Sequence, residues 1–302
     1  MIGSTIYRLA TCKSTNDVAK RLAAEGAEDG TVVVAEEQTG GRGTKGRGWH
    51  SASGLGLYAS VILRPRRSDI ALLPALAGVA VAEAVKRAAG IGVRLKWPND
   101  ITWRGKKLGG ILSESSFHGD EVSYVIVGLG INVKHRQADF PIDIRPTATS
   151  LRLASKKAVD MVKLERALWE SLEKWRGEFE RGNKQEIVRA FESRLFFPPG
   201  SKVLVEREAD RFAGTLRGLD TQARLVVESE GRTMLLSPAE VISLRKALRF
   251  CQCDKLTEGW RGMGAPRQTG PTGFFREGGR TAGGSPRQDP NPSYERQQKR
   301  RR

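Results

Sequence analysis

The sequence predicts an α+β fold: a mostly antiparallel sheet with flanking helices, then a small β-barrel and a disordered tail. Three observations carry this. β-rich runs alternate with amphipathic helical stretches up to residue 196, Pro198-Pro199-Gly200 then breaks the pattern ahead of four short alternating segments, and periodicity vanishes from Ala247 onward. The expected domains are therefore 1–196, 197–246 and a basic low-complexity tail, 247–302.

Ile6 to Ala10 and Thr31 to Glu36 read as strands. Between them Ser14-Thr15-Asn16-Asp17 caps a helix that carries Val18 and Leu22 on one face and closes at Gly26. Leu57 to Leu63 is a further strand. Ser68-Asp69 then caps a helix to about Ala89, apolar on most sides and so expected to be buried, with Gly90 as its stop. Val93 to Trp97, Gly110 to Phe117 and Val122 to Val133 read as strands, the last two a hairpin across His118-Gly119-Asp120. Val162, Leu164, Leu168, Leu172, Trp175 and Phe179 give Asp160 to Glu180 a helical period, and Lys184 to Leu195 is a second helix. The barrel strands are Lys202 to Glu206, Phe212 to Leu219, Arg224 to Glu228 and Thr233 to Leu236.

The longest uncharged apolar run, Ile70 to Ala82, is shorter than the roughly 20 residues of a membrane span, and no signal-peptide pattern opens the chain. A cytoplasmic protein without membrane association is expected. Cys12, Cys251 and Cys253 are too few for a disulfide framework, and no second Cys or His pair accompanies Cys251 and Cys253 to hold zinc. The net charge of +17, spread over both body and tail, favours acidic partners: nucleotide phosphates, nucleic acid or an acidic protein domain.

Gly41-Arg42-Gly43-Thr44-Lys45-Gly46 matches a dinucleotide fingerprint, but the chain continues through Trp49 into a strand instead of a helix and offers no acidic residue about twenty positions on. A Walker loop fails because Lys45 is followed by Gly. What remains is a glycine loop interleaved with Arg42, Lys45 and Arg47 and ending on Trp49, which suits a phosphate near an aromatic ring or, alternatively, a plain basic turn. Lys96-Trp97-Pro98-Asn99-Asp100 offers short polar groups for a nucleotide or metal, although Pro-Asn-Asp is often only a turn. Lys107-Leu108-Gly109-Gly110 and Gly128-Leu129-Gly130-Ile131-Asn132 set glycines in strands, where each weakens the strand unless close approach is needed.

In this order, the blocks Ser14-Thr15-Asn16, Gln38 to Gly43 through Arg47 and Trp49, Lys96 to Asp100, Lys107 to Leu112 and Gly128 to Asn132 resemble the biotin protein ligases. The resemblance spans about residues 5 to 245. It implies a fold related to class II aminoacyl-tRNA synthetases, a C-terminal SH3-like barrel, and two half-reactions: biotin with ATP to biotinoyl-5′-AMP, then transfer to a lysine of a biotin carboxyl carrier domain. It also implies that Ser14, Thr15, Asn16, Gln38, Gly41, Arg42, Gly43, Thr44, Lys107, Gly128 and Gly130 bind biotin. The nucleotide side falls to Thr44, Arg47, Trp49, Lys96, Asn99, Asp100 and Asn132, with Asp100 on Mg²⁺. Arg42, Lys107 and Asp100 are the catalytic candidates, the first two by stabilising charge at the α-phosphorus and Asp100 by orienting the incoming lysine. The resemblance admits a homodimer.

Two departures stand out. Thr44 occupies a position where the family most often has Arg, which implies a less securely held adenylate, and no helix-turn-helix precedes Ile6, so no N-terminal DNA-binding function is expected. A lipoate ligase of the same fold is the nearest enzyme alternative. A basic nucleic-acid-binding protein is the alternative of another class, with the tail either a contact for acidic partners or a solvated extension.

Overall fold

The computed structural model describes residues 1–247. In chain order come β1 (Ile6–Cys12), α1 (Thr15–Ala24), β2 (Val32–Gln38), β3 (Gly56–Leu63), α2 (Leu73–Ala89), β4 (Arg94–Lys96), β5 (Asp100–Trp103), β6 (Lys106–His118) and β7 (Glu121–Asn132). Then follow α3 (Leu151–Ser155), α4 (Met161–Glu180) and α5 (Lys184–Glu192). The seven strands form one sheet in the order β1-β2-β3-β7-β6-β5-β4. β1 and β2 are parallel because α1 crosses between them, and every other pair is antiparallel. The expected mixed sheet with flanking helices is present.

Side chains alternate across each strand, so the sheet has two chemically separate faces. On one, Val32, Val34, Val61, Val125, Val127 and Leu129 join the main core. α2 is apolar around most of its circumference because it lies against this face while α4 and α5 pack on it from outside. Gly90, left-handed at φ 73°, ends α2 as expected. Asp160 caps α4 by accepting from the amides of Val162 and Lys163.

On the second face Val33, Ile62 and Ile126 pack against α1. The helix presents Ala19 and Ala23 to the sheet, with Val18 and Leu22 only flanking them, so the small side chains let it sit close. Being ten residues long, α1 leaves part of this face uncovered. That part carries two rows in register, Ser60–Gly128–Leu112 and Tyr58–Gly130–Gly110.

The second sheet comprises β8 (Lys202–Arg207), β9 (Arg211–Leu219), β10 (Leu225–Ser229), β11 (Arg232–Leu236) and β12 (Val241–Lys246), antiparallel in the order β11-β10-β9-β8-β12. Of the expected small β-barrel the second antiparallel sheet is present, and no closed barrel is found among the described residues. Closure would require the edge strands β11 and β12 to pair, and among the described residues each bonds on one side only. The sheet is tied to the preceding elements by Trp97 Nε1, which donates to Ala223 O at 2.9 Å, and by the Leu219 amide, which donates to Glu192 Oε1 at 2.6 Å. The tail expected to be disordered lies, from residue 248, outside the described residues.

Candidate active site

The glycine-arginine segment folds back on itself. Arg42 and Gly48 form an antiparallel bridge, the Gly43 amide donates to Arg47 O at 2.6 Å, and the Trp49 amide donates to Gly41 O at 2.9 Å. The tip residues Lys45 and Gly46 are both left-handed, at φ 58° and 72°. Gly41 is fixed by the crossing of the chain, since a Cβ there would lie 2.6 Å from Trp49 O and 2.8 Å from Ser51 Oγ. This small hairpin forms a lid over the uncovered rows of the sheet.

Beneath it one cleft is lined by Ser14, Thr15, Asn16, Gln38, Arg42, Gly43, Thr44, Trp49, Asn99, Lys107, Gly128 and Gly130, all expected from the sequence. A neighbouring cavity of about 200 Å³ shares Thr44, Asn99 and Ile111 with the cleft and adds Arg47, Trp97, Pro238, Val241 and Ile242. Of the remaining expected residues, Gly41 supports the lid from behind, and Lys96, Asp100 and Asn132 line neither space. Asp100 meets the cleft through Lys107, whose Nζ lies 2.6 Å from its Oδ1. Asn132 is buried and donates to Thr149 O at 3.0 Å, bracing the chain after β7.

The floor is a polar network. The Thr15 amide and hydroxyl donate to Gln38 Oε1 at 2.8 and 3.1 Å, and Gln38 Nε2 donates to Ser51 Oγ at 2.8 Å. Ser60 Oγ lies 2.7 Å from Thr15 Oγ1 and 2.6 Å from Asn16 Oδ1. Asn16 Nδ2 donates to Glu114 Oε2 at 2.6 Å, and Lys20 Nζ to Glu114 Oε1 at 2.5 Å. Ser14 begins α1 but makes no side-chain cap bond, and it lines the cleft instead.

Arg42 donates both guanidinium arms to Asp17, at 2.8 and 2.6 Å, and sits 3.5 Å from Glu114. The hydrogen bond from Arg42 holds the Asp17 carboxyl below the usual carboxylate range. Burial pushes Glu114 up, but the bonds from Lys20 and Asn16 outweigh it and hold that carboxyl low as well. Both acids are therefore ionised at neutral pH.

The strand glycines turn out to make room for the protein's own side chains. A Cβ on Gly130 would lie 2.6 Å from the Trp49 indole, and one on Gly128 would meet Asn16 Cγ at 3.0 Å. The indole lies on the Gly130–Gly110 row with its Nε1 buried and unpartnered, and Lys107 Nζ is 5.5 Å from the ring centroid. This ring leaves the cleft only about 40 Å³. Among the described residues no group of three or more His, Cys, Asp or Glu could hold a metal ion, and Asp100 is taken up by Lys107.

Sequence reasoning missed Asp17, Lys20, Ser51, Ser60 and Glu114. Two signals were available: Ser60 interrupts an otherwise apolar, fully buried strand, and Glu114 is a charge two residues along from Leu112 on the glycine row.

The Biotin/lipoate A/B protein ligase family model matches residues 9–132, which hold the lid, α1 and both glycine rows. The biotin--[acetyl-CoA-carboxylase] ligase of Mycobacterium tuberculosis is 34% identical over 245 residues, covering 78% of this chain and 88% of that protein. The bifunctional ligase/repressor BirA of Bacillus spizizenii is 44% identical over 165 residues, 53% of this chain; the chain spans about half, 50%, of that relative's length. The structure of the Aquifex aeolicus biotin protein ligase in complex with biotin and ATP superposes with a TM-score of 0.71 at 30% identity, over 81% of this chain and 100% of that one. Similarity over more than three quarters of its length, with the family model spanning lid and cleft, places the chain in the biotin protein ligase family.

Proposed function

We propose that the protein activates biotin with ATP, giving biotinoyl-5′-AMP and pyrophosphate, and then transfers the biotinoyl group to a carrier-domain lysine, releasing AMP. The observation that carries this is the pair of adjoining spaces, a polar cleft on the glycine rows and a second cavity, meeting at Thr44, Asn99 and Ile111. A two-part ligand, acyl group and nucleotide, fits two rooms with one doorway.

In this reading the biotin head takes hydrogen bonds from the Ser14, Thr15, Asn16 and Gln38 network, close against Gly128 and Gly130. A cleft of about 40 Å³ is far below the several hundred Å³ usual for such ligands, so the Trp49 indole swings off the glycine row as the acid enters. Arg42 and Lys107 supply positive charge where the carboxylate attacks the α-phosphorus. Biotin's own carboxylate is the nucleophile, so positioning and electrostatics carry the first step. Asp100 orients Lys107 in that step and the incoming amine in the second. Asn99 and Arg47 face the nucleotide, while Lys96 and Asn132 act from behind the cleft. Mg²⁺ enters on the phosphates of ATP as part of the substrate. We assign the second sheet, 197–246, the role of an SH3-like domain that walls the nucleotide cavity through Pro238, Val241 and Ile242. The basic body speeds encounter with an acidic carrier.

The test is incubation with MgATP and either biotin or lipoate, with acyl-adenylate read by mass spectrometry. Adenylate from biotin supports the reading. Adenylate from lipoate alone, or from neither, overturns it.

A further inference from the structure

We propose that Lys45 is a latch through which the C-terminal sheet holds the lid closed, a positioning residue for the adenylate; the adenylate part rests on the function proposed above. Lys45 is exposed at the lid tip and does not line the cleft. Its Nζ donates to Val241 O, 2.7 Å away and 196 positions along the chain. That carbonyl is free to accept because β12 is irregular there: its pairing with β8 shifts register between Val241 and Ser243, and such a bulge releases a group from the ladder. Ile242, at the bulge, is 41% exposed and lines the same cavity as Thr44 and Lys45.

The sheet is itself anchored to the preceding elements, through Trp97 on Ala223 and Glu192 on Leu219. The lid therefore has two fixed ends: Arg42 on Asp17 at its base, and Lys45 on β12 at its tip. The tip backbone points the same way. At φ 58° a lysine is disfavoured where Asn or Gly would be tolerated, and its ammonium is what that position supplies in return.

This separates the latch from a plain turn by the sign of one substitution. Asn suits the left-handed backbone better than Lys, so in a plain turn Lys45→Asn tightens the lid, and in a latch it loosens it. The measurements, on the full chain, are hydrogen exchange of the Gly43, Arg47 and Trp49 amides, which bond within the lid, and the release rate of biotinoyl-adenylate. Lys45→Asn is expected to speed both about fivefold, Lys45→Arg to stay within about twofold of wild type, and biotin affinity without ATP to change less than about twofold. Exchange in Lys45→Asn that is unchanged or slower overturns the latch. So does loosened exchange with adenylate release unchanged, or an equal loss of biotin affinity, which would mark a general weakening of the loop. A wild-type chain that forms no adenylate, with exchange still loosened in Lys45→Asn and not in Lys45→Arg, supports the mechanical latch and overturns only the function.

Discussion

At the scale of single residues, Gly128 and Gly130, expected in sequence as biotin contacts, line the cleft and lie against Asn16 and Trp49. Gly128→Ala has no cheap relief, because Asn16 is buried and held at both ends, by Glu114 and Ser60. We expect it to destabilise the fold by about 1–3 kcal/mol, read from the urea midpoint. An unchanged midpoint would mean that Asn16 is free to move. For Trp49 the expected outcome is optical: biotin changes the intrinsic fluorescence of the wild type, and the change is lost in Trp49→Phe. Thr44 lies at the doorway between the two spaces with a short side chain. Replacing it by Arg adds up to five donors and a charge, so Thr44→Arg should slow the release of adenylate; equal rates would show that position 44 does not retain it. The residues facing the cleft were legible because they cluster in short blocks. Asp17 and Glu114 were not, since an acid after Ser-Thr-Asn reads as a helix cap and one in a strand as solvent-facing.

At the scale of elements, long periodic segments were readable: α2, α4 and the β6–β7 hairpin lie where the apolar spacing puts them. β5 was missed because four residues between Pro98 and Gly105 show no alternation, and β12 because Val241 to Lys246 ends in charge. The segment from Val133 to Ser150, which follows β7, hides a titratable group that no pattern reveals. His135 is fully buried, stacks on Phe140 at 4.8 Å, and has both ring nitrogens unpartnered. Burial, then the charge of His50, pushes its pKa from 6.5 down to about 4. The unfolded chain thus binds a proton between those values that the folded one refuses, so stability falls as pH drops from 6.5 to about 4. The full loss is about 3 kcal/mol, and its upper part lies above the ordinary carboxyl values through which the contributions of Asp17 and Glu114 begin to be lost. Urea titrations at neutral and mildly acidic pH should show most of this loss in the wild type and much less in His135→Phe. The same loss in both would contradict the assignment.

At the scale of the whole molecule, the sheet's two faces divide the labour. One is filled by α2, α4 and α5 and supplies the core; the other is only partly covered by the short α1, and the lid closes over what is left. The second sheet, which composition and turn spacing revealed as a small β-unit, does not close on itself among the described residues. Its edge strand β12 instead reaches the lid, a tertiary contact across 196 positions that no local pattern encodes. The arrangement is expected to load biotin onto a carrier. It is tested most directly by incubating the full chain with MgATP, biotin and a purified biotin carboxyl carrier domain, and reading the carrier's intact mass. A shift of one biotinoyl group is expected, dependent on ATP and abolished when the carrier's acceptor lysine is replaced; an unmodified carrier in the presence of folded protein would rule out this loading.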